Sequence, residues 1–188
     1  MATPTRSLTV RPACRDDVPA LLGIYNDAIL HTTAVYRYEP ATLDEYVAWF
    51  DTKSRQQLPV LVAEDETGVA GFATFGPFRP WPAYVHTVEN SVYVAPARRG
   101  RGVGTRLLKS LLIEARRRDL HVVVAGIDAD NEASRRLHAR FGFVQVAHFR
   151  QVGFKFGRWL DLTFMELLLG NGVEAADTTP QPPALPIR

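Results

Sequence analysis

A short apolar strand, a turn rich in glycine and arginine, and an amphipathic helix follow one another in the middle of the chain. The strand ends at Val92–Val94, the turn spans Arg99–Gly104 and reads RGRGVG, and a helix is predicted over Gly102–Arg118. The first N–H groups of a helix lack an intrahelical acceptor and carry the positive end of its dipole. Glycine lets a phosphate approach that backbone, and arginine adds charged donors. The segment therefore predicts a site for an anionic small molecule.

Two familiar phosphate-binding loops do not fit this turn. A dinucleotide site needs G-x-G-x-x-G after the first strand, whereas the glycines here are Gly100, Gly102 and Gly104. A P-loop needs a lysine directly after its last glycine, and Lys109 comes too late. What remains is an anion site of another kind, or a helix start whose glycines serve only to turn the chain tightly.

Hydrophobic periodicity divides the chain into strands and helices in the order βααβββαβαββ, which predicts an α/β or α+β layer fold. Thr42-x-x-Glu45 is a capping-box pattern, and the continuous apolar run His121–Ile127 is typical of a central strand. The other predicted strands are Leu8–Arg11, Val60–Glu64, Gly71–Gly76, Thr87–Val94, Val144–His148 and Leu160–Leu167. The other predicted helices run from a cap at Asp16 or Asp17 to Leu30, from Thr42 to Phe50, and from a cap at Asp130 or Asn131 to Phe141.

The composition excludes several classes of protein. Of the 188 residues, 46% are hydrophobic and 22% are charged, and no apolar run approaches the roughly 20 residues that span a bilayer. Cys14 is the only cysteine, so neither an internal disulfide nor a metal cluster held by cysteines is expected. A net charge of +2 does not favour nucleic acid or a membrane as partner, although the arginine clusters keep nucleic acid open as an alternative. We expect a cytoplasmic protein with one domain over residues 1–169 and a Pro-rich tail over residues 170–188.

Two motifs at a suitable separation connect the chain to a known family. Arg99-x-x-Gly102-x-Gly104 resembles the pyrophosphate-binding signature of the GNAT superfamily of acyl-CoA-dependent N-acetyltransferases. The segment Asn131–Phe143 resembles the superfamily's N-x-x-A-x-x-x-Y-x-x-x-G-F helix. The resemblance implies the GNAT fold, which is a mixed, mostly antiparallel twisted sheet, splayed at its centre and flanked by about four helices.

A narrower resemblance concerns the phosphinothricin N-acetyltransferase branch, which also includes enzymes acting on methionine sulfoximine and methionine sulfone. It rests on Thr87–Val94 and Val152–Asp161, and it covers about residues 8–169. It implies acetyl-CoA as co-substrate, direct transfer to the α-amine of a small amino acid analogue, and no metal. It also implies a homodimer in which residues Phe154–Leu160 help to build a shared site.

The resemblance assigns the cofactor to one set of residues. The strand end would bind the pantetheine arm through backbone groups, and the turn and helix start would receive the pyrophosphate. The residue that opens the last helix would form a hydrogen bond with the pantetheine arm. The cofactor-binding set is Val92, Tyr93, Val94, Arg99, Gly100, Arg101, Gly102, Val103, Gly104, Thr105 and Asn131.

The catalytic and substrate-binding candidates also follow from the resemblance. Glu89 would accept the proton that an ammonium substrate must lose before it attacks. His138 stands where many GNAT enzymes carry a tyrosine and would protonate the departing thiolate. Arg79 would hold the substrate carboxylate, and Pro80 and Trp81 would form the rest of that loop. Two other functions stay open: a non-catalytic acyl-CoA-binding regulatory module, and an acetyltransferase of a protein or peptide N-terminus.

Overall fold

The computed structural model describes residues 8–170, within which seven strands form one sheet and four α-helices cover it. The order βααβββαβαββ is confirmed, and the predicted tail lies almost entirely outside the described residues. The strands are β1 (Thr9–Pro12), β2 (Val60–Asp65), β3 (Gly68–Pro77), β4 (Thr87–Val94), β5 (Val122–Asp128), β6 (Val144–Lys155) and β7 (Arg158–Leu168). The helices are α1 (Val18–His31), α2 (Leu43–Arg55), α3 (Val103–Arg117) and α4 (Glu132–Ala139).

The sheet has the order β1-β2-β3-β4-β5-β7-β6, and only the β4–β5 pair is parallel. This pair ends early, because its register stops at Glu89 opposite Val124 while β4 continues to Val94 and β5 to Asp128. The expected splay at the centre of a mostly antiparallel sheet is therefore present. Beyond Glu89, the edge of β4 that faces β5 has no strand partner among residues 8–170.

Apolar side chains pack on both faces of the sheet, and each face is covered by its own helices. One face packs against α3, whose predicted apolar stripe is buried along its whole length. The other face packs against α1 and α2, where Leu21, Tyr46 and Phe50 lie close to Phe72 of β3. The two helical layers leave the diverging ends of β4 and β5 open between them.

The helix caps that the sequence predicts are present in the structure, with one exception. At α2, Thr42 accepts a hydrogen bond from the Glu45 N–H at 3.2 Å, and the Glu45 carboxylate accepts from the Thr42 N–H at 2.8 Å, which confirms the capping box. Asp17 precedes α1 as predicted, but its side chain does not cap the helix. It accepts instead from the Cys14 N–H and pairs with Arg11 at 2.7 Å, because a charged partner competes for the same carboxylate.

The last two strands are longer than predicted. The hairpin formed by β6 and β7 extends through Lys155 and Arg158, well beyond His148. Its far half exposes apolar and polar side chains on both faces, so the sequence lacks the alternation that marks a half-buried strand. Among residues 8–170, no helix combines the length and apolar character needed to cross a membrane.

Candidate active site

The divergence of β4 and β5 opens a cleft of about 820 Å³. The end of β4, the turn at residues 98–105 and the helix α4 line part of it. The helix α1, the segment after it as far as Tyr36, and the end of β5 line the rest. All but one of the predicted cofactor-binding residues line this cleft, as do both catalytic candidates; only Arg101 does not border it.

The glycine turn has the backbone of an anion cradle. Gly100 and Gly102 have φ values of +75° and +79°, and an added Cβ at either would meet nothing within 4 Å, so conformation and not space requires glycine there. A Cβ on Gly104 would lie 3.2 Å from the Leu137 side chain, so this glycine lets α3 approach α4 closely. The first helical hydrogen bond joins the Arg106 N–H to the Gly102 carbonyl, which leaves the preceding N–H groups directed out of the helix.

The arginines around the turn have different surroundings. Arg99 pairs with Asp27 of α1 at 3.0 Å and donates from Nε to the Val94 carbonyl at 3.3 Å. Arg98 pairs with Asp65 at 3.0 Å and also contacts the Thr67 hydroxyl. Arg106 donates to the Leu8 carbonyl at 2.5 Å. Arg101 is exposed, and within the described chain it has no recorded partner, so its charge is available to an anion.

The strand end of β4 presents its backbone to the cleft and its side chains to the two cores. The Tyr93 ring packs against Phe72 at 5.0 Å and Tyr25 at 5.5 Å between centroids. Val92 and Val94 lie on the other face, against Gly104. Asn131 precedes α4, and its side chain accepts from the Ser134 N–H at 3.1 Å. Its carboxamide therefore caps the helix, while its NH₂ group has no recorded partner in the described residues.

Glu89 is a half-buried carboxylate at the point where β4 and β5 separate. Glu89 packs closely against Gly126 of β5: a Cβ added to Gly126 would lie only 2.9 Å from the Glu89 Oε1 atom. Burial raises the pKa of Glu89, and the charge of Arg79 opposes that rise. No hydrogen bond to this carboxylate is recorded between residues 8 and 170. An amine that enters the cleft would therefore meet a free carboxylate with more than ordinary affinity for a proton.

His138 is buried, with 4% of its surface exposed. It lies on the face of β4 opposite Glu89, where it is hydrogen-bonded to Asn90. Its Nδ1 donates to the Ser134 carbonyl at 2.9 Å, because a carbonyl can only accept. The other ring nitrogen, Nε2, then accepts from the Asn90 carboxamide at 3.0 Å. Burial lowers the pKa of His138, which favours this neutral form. The Asn90 oxygen is buried and has no partner in the described part of the chain.

The predicted substrate loop is not brought into the cleft. Trp81 is 69% exposed. The Arg79 guanidinium stacks on the Phe78 ring at 4.1 Å and donates to the Phe78 carbonyl at 2.8 Å. Neither residue, nor Pro80 between them, borders the cleft. Arg79 is nevertheless close enough for its charge to act on Glu89.

Sequence reasoning missed several residues that do line the cleft. Asp128 ends β5 and is buried, and its carboxylate accepts from the Tyr36 hydroxyl at 3.1 Å. Asn90 and Ser134, the partners of His138, were also missed. The polar residue that follows an apolar strand could have indicated Asp128, whereas nothing in the sequence indicates which histidine Asn90 contacts. No group of three or more side chains suited to a metal ion occurs among residues 8–170.

Comparison with known proteins supports the resemblance. The model of the "Acetyltransferase (GNAT) family" matches residues 24–143. An L-methionine sulfoximine/L-methionine sulfone acetyltransferase of Pseudomonas aeruginosa is 49% identical over 164 residues, which cover 87% of this chain and 95% of the relative. A phosphinothricin N-acetyltransferase of Streptomyces coelicolor is 40% identical over 165 residues, covering 86% and 96%. A Salmonella typhimurium acetyltransferase structure with its cofactor acetyl-CoA is 48% identical, covers 88% and 95%, and superposes with a TM-score of 0.85.

Proposed function

Because this chain belongs to the GNAT family of acetyltransferases, we propose that it acetylates the α-amine of a small amino acid analogue such as methionine sulfone, methionine sulfoximine or phosphinothricin. The chain is an N-acetyltransferase that uses acetyl-CoA. The observation that carries the proposal is a single cleft in which a cradle for a diphosphate leads to the free carboxylate of Glu89. The domain boundary at residue 169 and the cytoplasmic location remain part of this proposal.

The cofactor side of the cleft fits acetyl-CoA. We propose that the free N–H groups at Val103–Thr105 and the left-handed glycines receive the diphosphate, with Arg99 and Arg101 supplying charge. The unpaired edge of Val92–Val94 would bind the pantetheine arm as an added strand, assisted by the NH₂ group of Asn131. Acetyl-CoA supplies an acetyl group already activated as a thioester. The protein then has to position that thioester and to remove a proton from the ammonium form of the substrate.

We propose that Glu89 performs the proton transfer. The substrate amine arrives as an ammonium ion, and Glu89 accepts its proton directly or through water. The freed nitrogen then forms a bond to the acetyl carbon as the carbon–sulfur bond breaks, and CoA leaves as a thiolate. The nitrogen gives up its second proton as the amide forms, and this proton passes, directly or through water, to the thiolate, which leaves as the CoA thiol. A backbone N–H at the unpaired edge of β4 would donate to the carbonyl oxygen while it gathers negative charge.

The role of His138 needs a change from the one the resemblance implies. A neutral imidazole in this arrangement holds its one proton on Nδ1, where the Ser134 carbonyl accepts it, and presents only a lone pair at Nε2. We therefore propose that His138 holds the Asn90 carboxamide, and with it β4, at the divergence point. A thiolate is a fair leaving group without protonation, so the transfer does not require an acid at this position.

The amine side would select the substrate. Glu89, Asp128 and the segment ending at Tyr36 surround the space that an amine can reach. We retain Arg79 as the proposed contact of the substrate carboxylate, because its charge already acts on Glu89. Pro80 and Trp81 would extend that loop at the rim, which requires them to move toward the cleft.

Thiol release from acetyl-CoA, measured across a panel of amines, tests the proposal. Methionine sulfone, methionine sulfoximine and phosphinothricin are expected to give the highest kcat/KM, and their N-acetylated derivatives are expected as products by mass spectrometry. Peptides with the same N-terminal residues serve as the competing substrates. Acetyl-CoA binding without turnover of any amine would favour the regulatory module, and preference for the peptides would favour the N-terminal acetyltransferase.

We also propose that the chain forms a homodimer through the far half of the β6–β7 hairpin. Large apolar side chains are exposed there, namely Phe149, Val152, Phe154, Phe156 and Trp159. So many large exposed apolar side chains on one hairpin are typical of a protein interface. Sedimentation equilibrium is expected to give twice the mass of the chain for the wild type, and Trp159→Glu is expected to give the monomer; a monomeric wild type would contradict the proposal.

A further inference from the structure

Lys155, at the end of β6, is a buried lysine that the proposed reaction does not use. It is 2% exposed, and its ammonium donates to the carbonyls of Ile29 at 2.5 Å, Thr32 at 2.9 Å and Val35 at 2.6 Å. No carboxylate pairs with it among residues 8–170. All three of its protons are therefore used on backbone carbonyls at the end of α1 and in the segment that follows.

The chemistry of this contact suits a lysine in particular. The last carbonyls of a helix lack intrahelical donors and carry the negative end of the helix dipole, which a cation compensates. An ammonium offers three donors from one point, whereas a guanidinium offers donors in a planar fork. Burial lowers the pKa of Lys155, so its charge is kept only because these carbonyls replace water. The Lys155 Nζ atom therefore holds the backbone at three positions, Ile29, Thr32 and Val35.

Two neighbours of Lys155 hold the same segment. Residues 32–38, called the strap here, connect α1 to the loop before α2. The ring of Tyr36 lies against Gly153, where a Cβ would come within 2.4 Å of it. The Tyr38 hydroxyl donates to the Phe154 carbonyl at 2.6 Å. Three consecutive residues of β6 thus bind the strap along its whole length.

The strap forms the amine side of the cleft. Thr32, Ala34, Val35 and Tyr36 all line the cleft. Tyr36 also reaches Asp128 at the end of β5, so the strap spans the open end between α1 and the sheet. The residues proposed to hold the cofactor lie elsewhere. A shift of the strap would therefore change the space for the amine and leave the diphosphate cradle in place.

We propose that Lys155 is a positioning residue for the amine substrate, latching the strap onto the β6–β7 hairpin and so setting the shape of the acceptor pocket. The proposal deepens the proposed function and rests on it only for its kinetic readout. Lys155 does not touch the reacting atoms in this arrangement. Its effect is on where Val35 and Tyr36 stand relative to Glu89.

Steady-state kinetics of Lys155→Met test the proposal, with Lys109→Met on the exposed face of α3 as the matched control. Small misplacements of substrate-positioning groups cost up to about 100-fold. We expect the KM for the amine to rise about 10-fold or more in Lys155→Met, with the Kd for acetyl-CoA within about twofold of the wild type. Lys155→Arg should fall between the two, and Lys109→Met should match the wild type. An unchanged amine KM, or an equal rise in amine KM and acetyl-CoA Kd, would overturn the proposal.

Tyr38→Phe provides a second variant in case Lys155→Met does not fold. It removes one hydroxyl from an exposed side chain, so the fold should survive. Here the expected rise in amine KM is smaller, about threefold, in line with the loss of one hydrogen bond. Hydrogen exchange should show faster exchange of the strap amides in either folded variant, with α3 unaltered. If Tyr38→Phe leaves both the hydrogen exchange of the strap and the amine KM unchanged, the proposal for Lys155 is overturned.

The exchange measurement also separates the two proposals. If the wild type acetylates no amine, the proposed function fails. The positioning role of Lys155 is then judged only by the hydrogen exchange of the strap amides. If the wild type is active but Lys155→Met and Tyr38→Phe leave the amine KM and the strap hydrogen exchange unchanged, the positioning role of Lys155 is wrong and the proposed function stands.

Discussion

At the scale of single residues, the proposed chemistry depends on two side chains that are placed on opposite faces of β4. Glu89 is a carboxylate without a recorded partner in the described chain, while His138 is fully occupied by Ser134 and Asn90. The sequence predicted that both residues belong to the site. It could not predict their hydrogen bonds, because Asn90 and Ser134 reach His138 only after α4 packs against the sheet.

The raised pKa of Glu89 gives a first prediction, which concerns stability. The folded state binds the Glu89 proton more tightly than the unfolded state does. Its contribution to stability is therefore full below the ordinary carboxyl pKa and is lost as the pH rises through the raised value. Glu89→Gln should melt at a higher temperature than the wild type at pH 7.5, and the difference should vanish near pH 4. Calorimetry at both pH values measures this, and equal melting temperatures at pH 7.5 would contradict it.

The second prediction concerns the hydrogen bond between His138 and Asn90. His138→Phe leaves a buried carboxamide unpaired, so the free energy of unfolding should fall by about 1–3 kcal/mol. Adding Asn90→Leu should recover part of that loss, since both polar partners are then gone. Denaturant titration measures both variants.

The pH profile of kcat for His138→Phe tests the same assignment by a different route. We expect a profile of unchanged shape at a reduced height. A proton donor would instead produce a loss of activity at high pH in the wild type that disappears in the variant. That outcome would restore His138 as the general acid.

At the scale of elements, the helix α3 and its preceding turn carry the cofactor prediction. The third prediction compares two glycines with positive φ: Gly102 at +79°, which precedes α3, and Gly68 at +107°, in the turn that opens β3. Alanine at either position should cost about 1–2 kcal/mol of stability, because a side chain strains the left-handed conformation. Only Gly102→Ala should also weaken acetyl-CoA binding, by about 10-fold, as the cradle distorts.

Calorimetric titration with acetyl-CoA and thermal melts separate these two effects. Gly68→Ala controls for backbone strain without touching the cleft. If both variants bind acetyl-CoA like the wild type, the glycines serve only to turn the chain, which is the alternative that the sequence left open.

Elements with a buried stripe were predictable, and those without one were not. The bounds of β4 were predicted without error, and α3 was predicted to within one residue, because each packs against a core that enforces its periodicity. The far half of β6 has no such core, so its length and the position of Lys155 could not be inferred. The loop at Arg79–Trp81 was placed in the site by resemblance, whereas in this structure Arg79 stacks on Phe78 and none of the three residues borders the cleft.

At the scale of the whole molecule, the early end of the β4–β5 pairing creates the site. The divergence exposes a backbone edge for the cofactor on one strand and leaves room for an amine beside the other. The lining of the cleft comes from separate parts of the chain, since the glycine turn and α4 contribute some residues and α1 with the strap contributes others. This separation explains why cofactor binding and amine selection can be tested by different variants.

The fourth prediction is the most direct test of the account, and it is the turnover of Glu89→Gln measured at saturating acetyl-CoA. Loss of a general base lowers the rate by about 100- to 10,000-fold. We expect kcat with methionine sulfone to fall by at least about 100-fold, while the acetyl-CoA Kd stays within about twofold of the wild type. Glu66→Gln, in the exposed turn between β2 and β3, should leave both values unchanged. Turnover by Glu89→Gln at the wild-type rate would show that the cleft works without its carboxylate and would contradict the central claim.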